Sequence, residues 1–568
     1  MDSFKPLDRV SSILSVTTVI GTLAAWSLYH VARALYNISP FHPLHQFPGP
    51  KLAAATILYE FWFEMVLGGR YTREIKRMHE IYGESVNRHL QIFPFSHDVT
   101  YGENIDGVSA LLSETFIEVV LLLADVPCQG PIVRISPDEL HCNDAAFYDE
   151  IYAAAGRKRD KQAHFLNMIA GPLTVSAFGT ADHDLHRIRR RALDKFFSRQ
   201  QILKLETEIN GLTQRLCHKL LRKTGEVLDI QTVYSCLVTD LISAYCFGET
   251  MGFMEQEGWE PNFREPVNGL LKASFMFRYF PVTRSLVHVA PYLAKYVSGD
   301  VGLLMKDLYV DTPSRVRKAQ EDHKNGVVRE RRTVYDGILE SSLPESETTV
   351  YRLSGDGFSL VAAGTETTAW TLTLITYFLL AQPETQARVA SELTGVDPHN
   401  LSWRMLEKLP YLSGVVLEGL RMSFGLPNRT PRIARDEDLV YQGTSGGKAF
   451  NYVIPRGTAI GMSQWIQHHD EEVFPDSYSF LPERWLDEKG QQKRGLEKYM
   501  VAFSRGSRAC LGMNLAYIEI YIATAALVLR VFPRMRLYET TEDDVKYDHD
   551  LVVSQPKNGS KGVRVVML

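Results

Sequence analysis

Residues 503–512 read Phe-Ser-Arg-Gly-Ser-Arg-Ala-Cys-Leu-Gly, which sets Phe503, Gly506, Arg508, Cys510 and Gly512 at fixed offsets in one decapeptide. From Met513 onward apolar residues recur at helical spacing. Cys510 therefore stands just ahead of a helix N-terminus, where partial positive charge favours a thiolate. The flanking glycines let the backbone turn tightly and come close to a flat ligand. An arginine two positions before the cysteine can pair with a carboxylate on that ligand. A lone cysteine is more often a small buried hydrophobe, which is the reading for Cys128, Cys142, Cys217, Cys236 and Cys246. No CxxC pair and no regular spacing occur among the six, which argues against a disulfide scaffold or a zinc ribbon.

The 568 residues are 45% apolar and 23% charged, with 62 basic against 67 acidic side chains. Such a chain can bury a large core without staples and forms one large enzyme domain or several small ones. The near balance of charge argues against a dedicated nucleic-acid binder. Helical patterns dominate, at residues 71–82, 358–380 and 514–531, and β-branched runs such as 132–135 and 452–454 are few and short. No internal repeat is present at solenoid or propeller periods. The fold class expected is mainly α with a minor β-sheet region.

Near the N-terminus, residues 10–32 carry no charged side chain and are apolar or small, apart from His30. A helix of that length crosses a bilayer core of about 30 Å. A cleaved signal peptide or a buried core helix are the alternatives; the run is longer than a signal sequence and leads into Tyr29, His30 and Tyr36. Residues 37–50 then hold four prolines and a glycine, read as a stiff hinge. The division expected is an anchor at 1–36, a hinge at 37–51 and a catalytic domain at 52–568. Lys5 and Arg9 compete with Arg33 and Lys51 in setting orientation.

The decapeptide resembles the haem-binding signature of the cytochrome P450 family, Phe-x-x-Gly-x-Arg-x-Cys-x-Gly, at all five fixed positions. The resemblance implies haem b with Cys510 as axial thiolate on the iron, Arg508 as a propionate partner and Phe503 packed by the cysteine loop. Thiolate ligation favours O–O cleavage. Glu418-Gly-Leu-Arg421 puts an acid and a base on one helix face. Alone that is an ordinary surface pair; with Phe480-Leu-Pro-Glu-Arg-Trp485 it resembles the family's buried network, Arg484 being the third member. Ala363-Gly-Thr-Glu-Thr-Thr368 reads either as a threonine-rich helix whose hydroxyls bond the preceding turn or, by resemblance, as the oxygen-binding groove. The latter implies that Gly364 opens room for dioxygen, Thr367 positions a water and Glu366 relays protons. In the basic stretch 182–191 the resemblance puts Arg190 and His186 at propionate-binding places, with His186 where tryptophan is usual, and gives Arg432 the same role. Arg187, Arg189, Arg191 and Lys195 are either a solvated face or a docking patch for an acidic flavoprotein. Residues 131–141 and Arg157-Lys-Arg-Asp-Lys161 are similar to fungal members related to trichodiene oxygenase and pisatin demethylase.

Residues 84–130 break the pattern. This segment of seven acids and one arginine separates Tyr82-Gly83 from Pro-Ile-Val-Arg-Ile. It is read as an insertion, either a translated intron or a lid or membrane-contacting loop.

The function implied is a microsomal, single-pass monooxygenase of the endoplasmic reticulum, facing the cytosol. It would take NADPH-derived electrons from cytochrome P450 reductase, with cytochrome b5 as a second donor, and act with O2 on a hydrophobic terpenoid or polyketide-like substrate. Alternatives are rearrangement or coupling without oxygen insertion, or an inactive haem protein caused by the insertion. Expected pocket walls are residues 165–178, 275–280, 358–362, 426–432 and 551–554.

Overall fold

The computed structural model describes residues 16–82, 130–154, 156–287, 299–329, 331–445 and 447–568. All of the 84–130 insertion except Gly130 lies outside the described residues.

Helices dominate, as the apolar periodicity requires. The principal ones are α1 (Val16–Ile38), α2 (Tyr71–Tyr82), α3 (His183–Asp194), α4 (Glu206–Leu221), α5 (Ile230–Phe247), α6 (Arg264–Tyr279), α7 (Val350–Ala381), α8 (Pro410–Ser423) and α9 (Met513–Arg530). The centre of the molecule is α7, 32 residues long and hence about 48 Å. It starts eight residues before the expected position. Thr349 caps it by accepting from the Arg352 N–H, and Gly355 and Gly357, which interrupt the apolar pattern, lie inside it. A Cβ on Gly355 would fall 2.3 Å from Pro172 O, so the glycine lets residues 171–176 lie directly on the helix.

Among the described residues two helices are long and apolar enough to cross a membrane, α5 and α9, and both are core helices. They read as uniformly apolar because neighbours surround them on all sides. Helix α1 is different: Leu23, Trp26, Leu28, Val31 and Leu35 are all more than half exposed. Residues 39–47 are a run of turns, packed rather than free, with Leu44 and Phe47 buried and Gln46 Nε2 donating to Val453 O. Leu44 and Phe47, between the prolines, tie this segment to the body of the fold.

The sheet that bears on function has the order β1-β2-β5-β4-β3, from Ile132–Ser136, Glu139–Cys142, Asp160–Lys161 (β3), Arg432–Ile433 (β4) and Ala459–Gly461 (β5). Its β2–β5 pair is parallel and the others antiparallel. In the last pair Lys161 stands opposite Arg432, which brings together two cations 271 positions apart.

Candidate active site

The cysteine loop is built by backbone constraint. Gly506 has φ +73°, and a Cβ there would sit 2.1 Å from Tyr152 O. The Cys510 N–H donates to Phe503 O at 2.8 Å, closing the loop, and Gly512 precedes the first turn of α9. Phe503 packs on Tyr517 with ring centroids 5.2 Å apart. At Gly512 a Cβ would meet nothing within 4 Å; the space beside it belongs to an interior cavity of about 390 Å³.

Cys510 lines that cavity and exposes its side chain there, although protein surrounds it. Burial pushes its thiol up, while the Gly512 N–H and Arg190 act in the opposite direction. The other described cysteines, Cys142, Cys217, Cys236 and Cys246, are buried.

One wall of the cavity gathers Lys161, His186, Arg190, Arg432 and Arg508. The cations spend donors on backbone carbonyls. Lys161 Nζ reaches Phe178 O at 2.7 Å, and Arg432 Nη1 reaches Thr430 O at 2.9 Å. Arg508 donates to Arg159 O, Thr180 O and Ala181 O at 3.0, 2.8 and 2.6 Å. Arg190 Nη1 donates to Ala509 O, next to the cysteine, at 2.7 Å. Burial holds Lys161 and Arg508 below their usual range, and the nearby Arg432 guanidinium adds to this. Burial first, then Arg508 and Lys161, keep His186 neutral. Arg190 also pairs with Asp194 at 2.6 Å, but the buried positive charge of Lys161, Arg432 and Arg508 is costly without an anion. A flat apolar ligand with carboxylates on one edge, ligated by a thiolate, would relieve it, and haem has that chemistry.

Another wall is α7. Thr367 Oγ1 donates to Ala363 O at 2.9 Å, and Thr365 and Thr371 likewise bond the carbonyl four residues back. The threonine-rich reading of this stretch therefore describes its local bonding. Gly364 reaches the cavity, but a Cβ on it would point at Ile242 of α5, 3.3 Å away. The glycine lets α5 approach α7 closely here, and Ala363 is the exposed residue of this stretch. Glu366 is 4% exposed; its Oε2 accepts from Gln231 Nε2 at 3.4 Å and its Oε1 is unpartnered. Burial pushes its carboxyl up to about 7, with Arg264 pulling the other way.

Beneath the loop, Glu418, Arg421 and Arg484 meet in the interior rather than on the surface. Arg421 pairs with Glu418 at 2.8 Å, both side chains fully buried, and Arg484 Nε reaches Glu418 Oε1 at 2.9 Å. The Trp485 indole N–H is a further donor to Glu418, at 2.9 Å. Arg421 also donates to His468 O and Ser477 O. His468 Nδ1 lies 2.8 Å from Arg421 O, and its Nε2 accepts from the Val501 N–H at 3.0 Å, which ties the network to the loop. Burial keeps this imidazole neutral, at about 3.

Several expectations about the walls change. The α6 residues that line the cavity are Val267, Leu270, Leu271 and Ser274, not 275–280. Arg189 is no part of an open basic patch: it pairs with Glu347 at 2.7 Å, whereas Arg187, Arg191 and Lys195 are exposed. Sequence reasoning passed over Lys161, His468 and Glu519. Glu519 had a signal, being the one charged residue between 513 and 529; buried against Thr368, its carboxyl is held far above the carboxylate range.

A mainly helical domain whose one accessible described cysteine opens on an apolar cavity with a cationic rim defines a protein built to hold a flat, acidic, metal-bearing cofactor. The cytochrome P450 family model matches residues 140–561. Three relatives extend the match. The cytochrome P450 monooxygenase ppzE of Metarhizium majus is 38% identical over 83% of this chain and 92% of its own. Tryptophan 6-hydroxylase fscE of Fusarium equiseti is 33% identical over 99% of both chains. Conidiogenone synthase PchP450 of Penicillium rubens is 34% identical over 92% and 94%. The chain belongs to the cytochrome P450 family and is a P450 monooxygenase.

Proposed function

We propose that this is a membrane-anchored haem-thiolate monooxygenase that inserts one atom of O2 into a hydrophobic small molecule, a terpenoid or polyketide-like intermediate of fungal secondary metabolism. The observation that carries the reading is Cys510 at the foot of a cavity whose rim gathers Lys161, Arg190, Arg432 and Arg508. Cys510 would ligate the iron, and the four cations with neutral His186 would hold the propionates. Electrons would come from NADPH through cytochrome P450 reductase, with cytochrome b5 as a second donor. Residues 1–36 would anchor the chain in the endoplasmic reticulum, with residues 52–568 as the cytosolic catalytic domain and 37–51 as the proline-rich hinge between them. The outward-facing apolar side chains of α1 favour that anchor.

When bound, haem supplies the oxygen activation and the oxidising power. The protein supplies protons and excludes water. Glu366, poised near neutrality, can carry a proton at its unpartnered Oε1 and release it to a water held at Thr367 Oγ1. Gln231 and Arg264, which pairs with the partly exposed Asp229, lead from Glu366 towards the surface. In Thr367→Ala that water loses its hydroxyl partner. NADPH consumption should continue while most of the oxygen leaves as hydrogen peroxide; an unchanged ratio of product to NADPH removes Thr367 from the relay.

For residues 84–130 the proposal is a translated intron. Sequencing of the transcript should find these 141 nucleotides absent from the main mRNA. A main form that retains them makes the segment a genuine insertion.

A further inference from the structure

Away from the cationic rim, the part of the cavity wall supplied by α6 is apolar except at one position. Helix α6 presents Val267, Leu270, Leu271 and Ser274 to it, at offsets of three, four and seven residues that share one helix face. Ser274 is 2% exposed, and its Oγ has no hydrogen-bond partner, not even the carbonyl one turn back that usually satisfies a helical serine. A buried hydroxyl left unpaired costs stability that alanine would not. Nothing in the fold of α6 requires a serine here.

Charge narrows what such a hydroxyl could meet. The cations that reach the cavity, Lys161, Arg190, Arg432 and Arg508, belong to the rim. Asp356 and Glu366, the acids on the α7 wall, are both pushed up by burial. With those four cations turned to the cofactor, a substrate carboxylate would find no free counter-charge among the described residues that line the cavity. A hydrocarbon with one hydroxyl or carbonyl oxygen would satisfy Ser274 and need no counter-charge.

We propose that Ser274 sets specificity: its hydroxyl hydrogen-bonds a single oxygen of an uncharged, otherwise hydrocarbon substrate and so fixes which carbon faces the reacting centre. This rests on the monooxygenase reading and names the substrate class for the same cavity.

The test uses the full-length, haem-loaded protein and three probes of one skeleton: adamantane, 1-adamantanol and 1-adamantanecarboxylate. A near-spherical cage can turn its substituent towards whichever wall accepts it. Affinities are read from the substrate-induced spectral shift in the parent protein and in Ser274→Ala, so that each probe's own hydration cancels. The alcohol should bind about five- to tenfold more weakly to the variant, adamantane should stay within about twofold, and the carboxylate should bind neither protein well. The variant should melt no lower than the parent, since it loses an unsatisfied group. An unchanged affinity for the alcohol, a carboxylate that binds as tightly as the alcohol, or a clearly lower melting point overturns the proposal. A protein without the thiolate-haem spectrum removes the monooxygenase reading and this inference together. A normal spectrum with no selective loss of the alcohol removes this inference alone.

Discussion

Cys510→Ala should abolish the thiolate-type absorption band of the reduced carbon-monoxide complex while leaving the chain folded. The side chain faces the cavity rather than the core, so its removal leaves no packing defect. The loop that presents it is closed by backbone: the Cys510 N–H to Phe503 O bond and the Gly506 turn both survive the substitution. No other described cysteine can substitute. Cys217 and Cys236 are pushed up to about 12 by burial, and Cys142 and Cys246 are shifted upward for the same reason. Haem held by the cationic rim alone would lack the sulfur that gives the band. The check is a reduced carbon-monoxide difference spectrum beside far-ultraviolet circular dichroism. A variant that keeps the band assigns the ligand to another atom and ends the haem-thiolate reading.

Arg421→Ala should sharply lower the yield of folded, haem-loaded protein. Glu418 is fully buried and holds Arg421, Arg484, the Trp485 indole and the Leu481 N–H at once. Removing Arg421 takes the two-pronged guanidinium from Glu418, leaving it Arg484 as a cation, and takes donors from the carbonyls of His468, Ser477 and Ser479. Breaking a buried pair from one side costs ~3–5 kcal/mol, a large share of the ~5–15 kcal/mol that holds a domain folded. Arg421→Lys should rescue little, because an ammonium cannot reproduce the forked pairing and the carbonyl contacts together. The loss should spread through His468, which joins Arg421 O to the Val501 N–H, and so loosen the loop that carries Cys510. Yield, haem content and thermal midpoint read the outcome. An Arg421→Ala protein matching the parent in all three makes the network dispensable.

Local chemistry wrote the loop and the network members into the sequence. Gly506, Arg508, Cys510 and Gly512 are legible because a tight turn before a helix needs those residue types within a few positions. The helical character of α2 is legible because one apolar period runs through it, and that of α7 and α9 because their apolar runs are too long for a strand. The α7 start lies eight residues before the apolar pattern places it, because Gly355 and Gly357 interrupt that pattern; in the fold they let Pro172 and the Tyr335 hydroxyl lie directly on the helix. At Gly364 the sequence signals only that something comes close; the structure adds that Ile242 of a neighbouring helix lies where its Cβ would point.

The sequence by itself determined the family, the cysteine, the network residues and the mainly helical class, because each rests on spacings shorter than a few turns of chain. Only the tertiary structure decided which cations share the rim, that His468 couples the network to the loop, and that Ser274 stands unsatisfied in an apolar wall. Lys161 meets Arg432 across a sheet edge, and His468 spans Arg421 and Val501. Burial and distance are properties of packed elements far apart in the chain, and no local pattern encodes them.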